Sequence, residues 1–483
     1  MTSFYDVVVI GDELAGAAAA GHLARRGLRV LVVCSAPVER DALGPYLVPR
    51  APLTLTGLEA PALKRLVADL NLLQLLRKRV EPNQPAYQVL LPDARLDVSV
   101  TDLPRELSRE LPSQAAAYDR FSARAATTSA TLESQVVEDV TLPPDGFWDR
   151  RDLKRMAARL PPDGEDAGLP PEARMIAALP LRFAVDLDEP GAIALDRISD
   201  LYRRGTWSLD GGREALRALL LERVRTYSGE VRYDTARGLV TRRRRVTGVA
   251  IGVREEEVGC SQVICAMPAA ELLRLLPEAP PRRLADAASL EATWHRYLLH
   301  VVAPPEALPD ALGRLAFSVR DPAAPLEGAN LIALHVSSTQ GRQQAVITVE
   351  ALARDPSIAA LHTLRAGVRA HLETLIPFLD RHLLAAWSPH DGLPPERLPA
   401  SAAADLPAPS PMAAVWSLPA PRALGVCGIP HATGLKHVLF ANRQVLPGLG
   451  FEGELVCGWG AARLACARDK RRAIDKTDLL GAP

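Results

Sequence analysis

Tyr5-Asp6-Val7-Val8-Val9-Ile10-Gly11-Asp12-Glu13-Leu14-Ala15-Gly16, carried through an Ala-rich stretch to Gly27 and then Arg29-Val30-Leu31-Val32-Val33-Cys34, decides the fold. An apolar strand ends in a glycine, a turn opens a helix, Gly27 closes it, and a second apolar strand follows. That is the order of a dinucleotide-binding βαβ unit. In the pattern G-x-G-x-x-G the first glycine makes the tight turn and the second lets backbone approach a pyrophosphate. The third lets helix and strand pack closely. Gly11 and Gly16 hold the first and third places, but Glu13 holds the second. Cys34 stands where an acidic residue normally binds ribose hydroxyls. The frame is kept and two ligand positions are altered.

Outward from that unit, the 483 residues are too many for one core, so two or three domains are expected. Hydrophobic residues make up 48% and charged residues 24%, which argues against disorder. Fifty-seven Lys and Arg balance fifty-seven Asp and Glu, so no net field draws the chain to nucleic acid. The cysteines Cys34, Cys260, Cys265, Cys427, Cys457 and Cys466 lie far apart with no C-x-x-C pair. They read as buried free thiols in a reducing compartment rather than as metal ligands. With no signal peptide and no apolar run of membrane-spanning length, the expected location is cytoplasmic.

Residues 60–80 carry Leu63, Leu66, Val67, Leu70 and Leu73 at helical spacing, so one amphipathic helix is expected there. Gln88–Leu91 and Leu96–Val100 read as a hairpin around Pro92-Asp93. Thr101-Asp102-Leu103-Pro104 reads as a cap opening a further helix, and residues 160–166 as a loop. Asp210-Gly211-Gly212 leads into a helix, followed by strands near 230–233, 238–241, 247–253 and 262–266. The run Arg242–Arg245 falls between two of these and reads as a solvated hairpin tip. Strands near 297–302, 314–319, 331–336 and 345–349 suggest one antiparallel sheet, with a helix at 358–379 and a loop at 391–411 after it. Val438-Leu439-Phe440 is a short strand, and Pro447-Gly448-Leu449-Gly450-Phe451-Glu452-Gly453 is a Gly-rich turn opening a last helix. The residues from Lys470 on read as a frayed end.

In this order the pieces resemble the phytoene desaturase-like branch of the FAD-dependent amine oxidoreductase superfamily, over nearly the whole length. The fold so implied is α/β: a Rossmann-like FAD-binding domain in three segments (GR2-type) with an interleaved α+β substrate domain. Residues 1–85, 205–275 and 420–483 would form the first, and 86–204 and 276–419 the second. The resemblance implies FAD as cofactor and two-electron oxidation of a C–C or C–N bond in an apolar or amphipathic small molecule. The flavin would carry that chemistry, so no catalytic residue is nominated. It implies cofactor contacts at Gly11, Glu13, Ala15, Gly16, Cys34, Ser35, Gly44, Arg443, Gly448, Gly450 and Phe451.

The sequence departs from the family pattern at Glu13, Cys34, Pro45 and Asn442. A carboxylate ~5 Å from a phosphate, at an effective dielectric of ~20, costs roughly 3 kcal/mol, about a hundredfold in affinity. Glu13 either swings to solvent, leaving FAD bound, or accepts hydrogen bonds from the helix start and fills the anion site itself. Cys34 is a weak acceptor in place of a carboxylate, and Ser35 compensates in part. Arg443 offers a phosphate contact or, by preference, a surface ion pair. Two functions follow: a flavoprotein oxidoreductase, or a non-catalytic relative serving as a binding or scaffolding partner. A nucleotide-sensing module for NAD(P) is a weaker third. Partners in view are a lipophilic small molecule, a peripheral membrane contact or another protein, and not nucleic acid. Met175–Leu181 reads as core rather than as a lipophilic tunnel or membrane face.

Overall fold

The computed structural model describes residues 3–137, 141–160, 169–242, 245–339, 343–399, 406, 409–419 and 422–468. The loop expected at 160–166 therefore lies almost wholly outside the described residues. So do Arg243 and Arg244, parts of the 391–411 loop and the C-terminal end.

The opening stretch forms β1 (Phe4–Ile10), α1 (Leu14–Arg25) and β2 (Val30–Cys34). β1 and β2 pair in parallel, Val7 beside Val30 and Ile10 beside Val33. On its other side β1 pairs in parallel with the strand Glu256–Cys265, Ile10 beside Cys265. The full sheet adds Glu230–Tyr233 outside β2, and Arg245–Ile251 and Ala236–Arg242 beyond Glu256–Cys265. Val438–Phe440 joins that strand in parallel, Cys265 beside Phe440. One sheet thus gathers strands from three distant parts of the chain. β2 is apolar throughout and fully buried, as are Val7–Ile10 of β1 and Val263–Cys265 beside it.

A second, mainly antiparallel sheet runs in the order Ala385–Trp387, Ala292–Ala303, Ala345–Ala353, Gly328–Ser338, Leu315–Val319, Tyr87–Leu90, Arg95–Val98. Ala413–Trp416 also pairs with Ala292–Ala303. The four expected strands of the sheet are all there. The hairpin of Tyr87–Leu90 and Arg95–Val98 joins them through a parallel pairing with Leu315–Val319, which periodicity does not show. Thr206–Leu209 makes a small third sheet with Thr54–Thr56 and Val80–Pro82.

Three expected helices are broken. Residues 60–80 form Pro61–Asp69 and Leu73–Arg79, parted where Asn71 takes a left-handed φ of 53°. Residues 358–379 form Ile358–Leu375 and Leu379–His382, parted at Phe378 with φ 70°. The helix after Asp102 ends at Glu110, and Pro112–Val137 starts afresh because Pro112 has no N–H to continue it. Apolar spacing carries across such breaks, so periodicity alone does not show them. Met175–Leu181 lies in the helix Pro171–Ala184, with Ile176, Ala177, Leu179, Pro180 and Leu181 buried, so it is core. All six cysteines are free and buried. No helix among the described residues is long and apolar enough to cross a membrane.

The glycines of the opening motif are explained by packing. A Cβ on Gly11 would lie 2.3 Å from the carbonyl oxygen of Ala266, and one on Gly16 would lie 2.1 Å from the Ala266 Cβ. Both spots are where the turn and α1 press on the residue just past strand Glu256–Cys265. The last helix, Gly450–Arg468, crosses α1 just as closely: a Cβ on Gly458 would lie 2.5 Å from the carbonyl oxygen of Ala15. Gly16→Ala is therefore expected to destabilise by about 3 kcal/mol, since no rotamer relieves a Cβ–Cβ overlap. Gly27→Ala has nothing within 4 Å and only a positive φ of 77° against it, so about 1 kcal/mol is expected. Urea denaturation of the two variants checks this, and the reverse order would refute the packing account.

Candidate active site

At the βαβ turn both the backbone N–H and the carboxylate of Glu13 are engaged by the protein itself. The Glu13 N–H donates to the carbonyl oxygen of Ala266 (3.2 Å). The Glu13 side chain, partly buried, makes no cap to α1. Instead its carboxylate accepts the backbone N–H of Arg443 at 2.5 Å. Neither expectation for Glu13 holds as stated: it does not swing to solvent, and it is not bound by the helix start. Its carboxylate is held from the other end of the chain.

Arg443 is not on a surface ion pair. Its side chain is 19% exposed and holds Asp186 with two nitrogens, Nε at 2.6 Å. Asp186 also faces Arg296 (3.4 Å), and Arg296 holds Glu350 at 2.6 Å. The His335 Nε2 stands 3.6 Å from the other oxygen of Glu350, too far for a hydrogen bond. A line of alternating charge, Glu13, Arg443, Asp186, Arg296, Glu350, thus runs from the first sheet into the second. Beside it Arg213 holds Glu454 through a two-bond fork, Nη1 at 2.6 Å and Nη2 at 2.5 Å. Burial, then Glu454, push the Glu13 carboxyl up to about 7, against the pull of Arg443 and Arg213. Burial also raises Glu350, but Arg296 and His335 outweigh it and hold that carboxyl below its usual range.

At the end of β2 burial pushes the Cys34 thiol up to about 11, so it stays protonated and is a poor partner for ribose hydroxyls. Asp12 takes the polar role there, accepting both the N–H (2.7 Å) and the hydroxyl (2.8 Å) of Ser35. Arg217, 4% exposed, covers this corner by donating to the Ser35 carbonyl at 2.9 Å. Asn442 is fully buried and knits the strand ends, donating to the Met267 carbonyl (2.7 Å) and accepting the Gln444 N–H (3.1 Å).

A cavity of about 310 Å³ opens beside the charge line. Of the expected contacts, Arg443, Gly450 and Phe451 line it; Gly11, Glu13, Ala15, Gly16, Cys34, Ser35, Gly44 and Gly448 do not. Gly44 sits in the tight turn of the hairpin Arg40–Leu43 and Tyr46–Pro49, and Gly448 packs against Val426. The cavity therefore brings together one end of the expected site and does not reach the other. An FAD pyrophosphate would meet the Glu13 carboxylate, and its ribose would meet a neutral thiol and the Asp12–Ser35–Arg217 corner. The residues present do not fit FAD without rearrangement. Asp186, Arg213, Arg296, His335 and Glu350 were absent from the sequence expectations. Glu454 lay just past the quoted Gly-rich turn and its charge was a readable signal; Asp186 and Arg296, far apart in sequence, carried none.

No family model matches the chain, and no curated protein matches it. Solved structures share its fold. An oxidoreductase from Methanosarcina mazei superposes with a TM-score of 0.59 at 14% identity, over 94% of this chain and 99% of that one. A putrescine oxidase variant redesigned for cofactor binding gives 0.60 at 14% identity, over 98% and 100%. Cyclohexylamine oxidase from Brevibacterium oxydans gives 0.55 at 13%, over 97% and 100%. The Rossmann-like α/β fold is thus shared with these proteins over 94–98% of the chain.

The raised Glu13 carboxyl predicts a pH dependence. Unfolded, it titrates near 4.3; folded, near 7. Between these values the folded protein binds more protons, so stability falls as pH rises through the interval. Relative to Glu13→Gln, the wild type should lose about 1–3 kcal/mol between about pH 4 and pH 8. Urea midpoints of both proteins across that range test it; parallel curves would refute it.

Proposed function

We propose that this chain is a small-molecule-binding relative on the oxidoreductase fold, non-catalytic toward flavin chemistry, with its dinucleotide groove closed by its own side chains. The single observation that carries this reading is the Glu13 carboxylate on the Arg443 N–H. Above about pH 7, where this carboxyl is ionised, a like charge beside a phosphate costs on the order of 3 kcal/mol. Displacing it would also break the Arg443 contact that links the turn to the buried charge line. The cavity that remains is at the lower edge of ligand-pocket sizes, and half its wall is apolar: Phe183, Ile198, Tyr202, Leu298, Leu315 and Phe317.

A second reading is a phytoene desaturase-like or amine oxidase-like FAD-dependent oxidoreductase. The fold shared with putrescine oxidase and cyclohexylamine oxidase favours it, as does a cavity reaching Gly450 and Phe451 of the last segment. Here Glu13 would have to leave Arg443 for FAD to enter.

The visible spectrum of the purified protein, followed by titration with FAD, separates the two. The expected result is a colourless protein with weak FAD affinity. A Glu13→Gly, Cys34→Glu double variant is expected to gain about ten- to a hundredfold. Flavin at near-stoichiometric occupancy in the wild type would overturn the first reading and establish the second.

A further inference from the structure

Three carboxylates meet two guanidiniums beside the βαβ turn. Arg213 spends both terminal nitrogens on Glu454, and the Arg443 side chain is spent on Asp186. Arg296 and Glu350, farther along the line, hold each other. Glu13 is the carboxylate left over. Among the described residues no guanidinium hydrogen-bonds to it, and its side chain accepts only the backbone N–H of Arg443.

The charged and titratable groups facing Glu13 come from every element around it. Arg443 follows Val438–Phe440, Arg213 lies on the helix Gly212–Thr226, and Glu454 and Cys457 lie on the helix Gly450–Arg468. The Cys457 thiol is buried and held protonated, so it brings no charge. Asp12, the neighbour in the turn, is taken up by Ser35 and Arg217. Ionised, Glu13 therefore adds a negative charge that no cation balances. Protonated, it leaves Arg213 with Glu454 and Arg443 with Asp186, two matched pairs. Buried charges are tolerated when paired, so the packing favours the neutral carboxyl, in line with its titration at about 7.

The second motif position is where backbone approaches a pyrophosphate. A carboxylate there only accepts hydrogen bonds and repels a phosphate, whereas a protonated carboxyl has no charge and one O–H to donate. A phosphate beside Glu13 adds negative charge to a cluster already in excess, which favours the neutral form further. The side chain is only partly buried, so a proton reaches it from solvent.

We propose that dinucleotide binding at this turn is proton-coupled: Glu13 takes one proton from solvent as the pyrophosphate enters, and so changes from a barrier into a hydrogen-bond donor. This rests on the reading that Glu13 is what bars the groove, and it makes that bar depend on pH.

The test titrates the purified full chain with FAD, whose pyrophosphate stays ionised throughout the range used. Wild-type affinity is expected to stay level up to about pH 7 and then to fall about tenfold per pH unit, about a hundredfold in all by about pH 9. Glu13→Gln keeps an oxygen for the Arg443 N–H and has no charge to gain, so its affinity should hold at the acidic level across the range. Calorimetry at about pH 8, in two buffers of different ionisation enthalpy, reads the proton directly. Wild type should take up most of one proton per FAD, and Glu13→Gln none. The wild-type measurement needs no variant and decides the matter if Glu13→Gln does not fold. An affinity that does not change with pH, an equal slope in Glu13→Gln, no proton uptake by the wild type, or no FAD binding at the acid end up to its solubility each overturns this inference alone. Stoichiometric flavin in protein purified near neutral pH overturns instead the reading it rests on.

Discussion

Asp186 is the residue on which two parts of the molecule meet. It follows the helix Pro171–Ala184, accepts Arg443 from the C-terminal segment and faces Arg296 from the second sheet. Its backbone also receives the Trp416 N–H (2.9 Å) and donates to the Pro447 carbonyl (2.9 Å). Charges this buried are costly to bring together, and removing one partner strands the others. That loss is typically about 3–5 kcal/mol, a large share of the stability of any domain. The line is therefore a constraint as much as a support: any ligand entering the groove from Glu13 has to break it or accommodate it.

The motif glycines show how a binding pattern can persist for reasons of packing. A Cβ on Gly11 or Gly16 would lie 2.3 or 2.1 Å from an atom of Ala266, so a side chain is excluded whether or not a ligand binds. The second motif position packs on nothing that demands a glycine, and there a glutamate stands. The βαβ frame and the cofactor it resembles a holder for are thus separable, because different forces select the residues of each. Close packing fixes the frame, while only a bound phosphate would fix the second glycine.

Much of the fold was readable locally. Apolar runs of strand length gave β1, β2 and the end of Glu256–Cys265 from Gln262 on, and further strand-length runs gave four strands of the second sheet. What failed locally failed for stated causes: Asn71 and Phe378 turn left-handed inside apolar patterns that run on without interruption. At the site, Glu13 and Arg443 were each marked as anomalies by their place in a motif. Their partnership was not readable, since they are joined across 430 positions by one hydrogen bond. Asp186 and Arg296 carried no motif at all; only their meeting in the folded protein marks them.

The sequence by itself therefore determined the opening βαβ frame and the two positions where a dinucleotide is poorly served, because periodicity and glycine spacing are properties of short segments, while the three-part build of the first sheet was implied only by the family resemblance. Only the tertiary structure decided that Glu13 turns inward to the Arg443 N–H and that Arg443, Asp186, Arg296 and Glu350 meet in one buried line. Those outcomes depend on which buried charge reaches which, and burial with its partners is settled when distant segments pack, not by any stretch of chain alone.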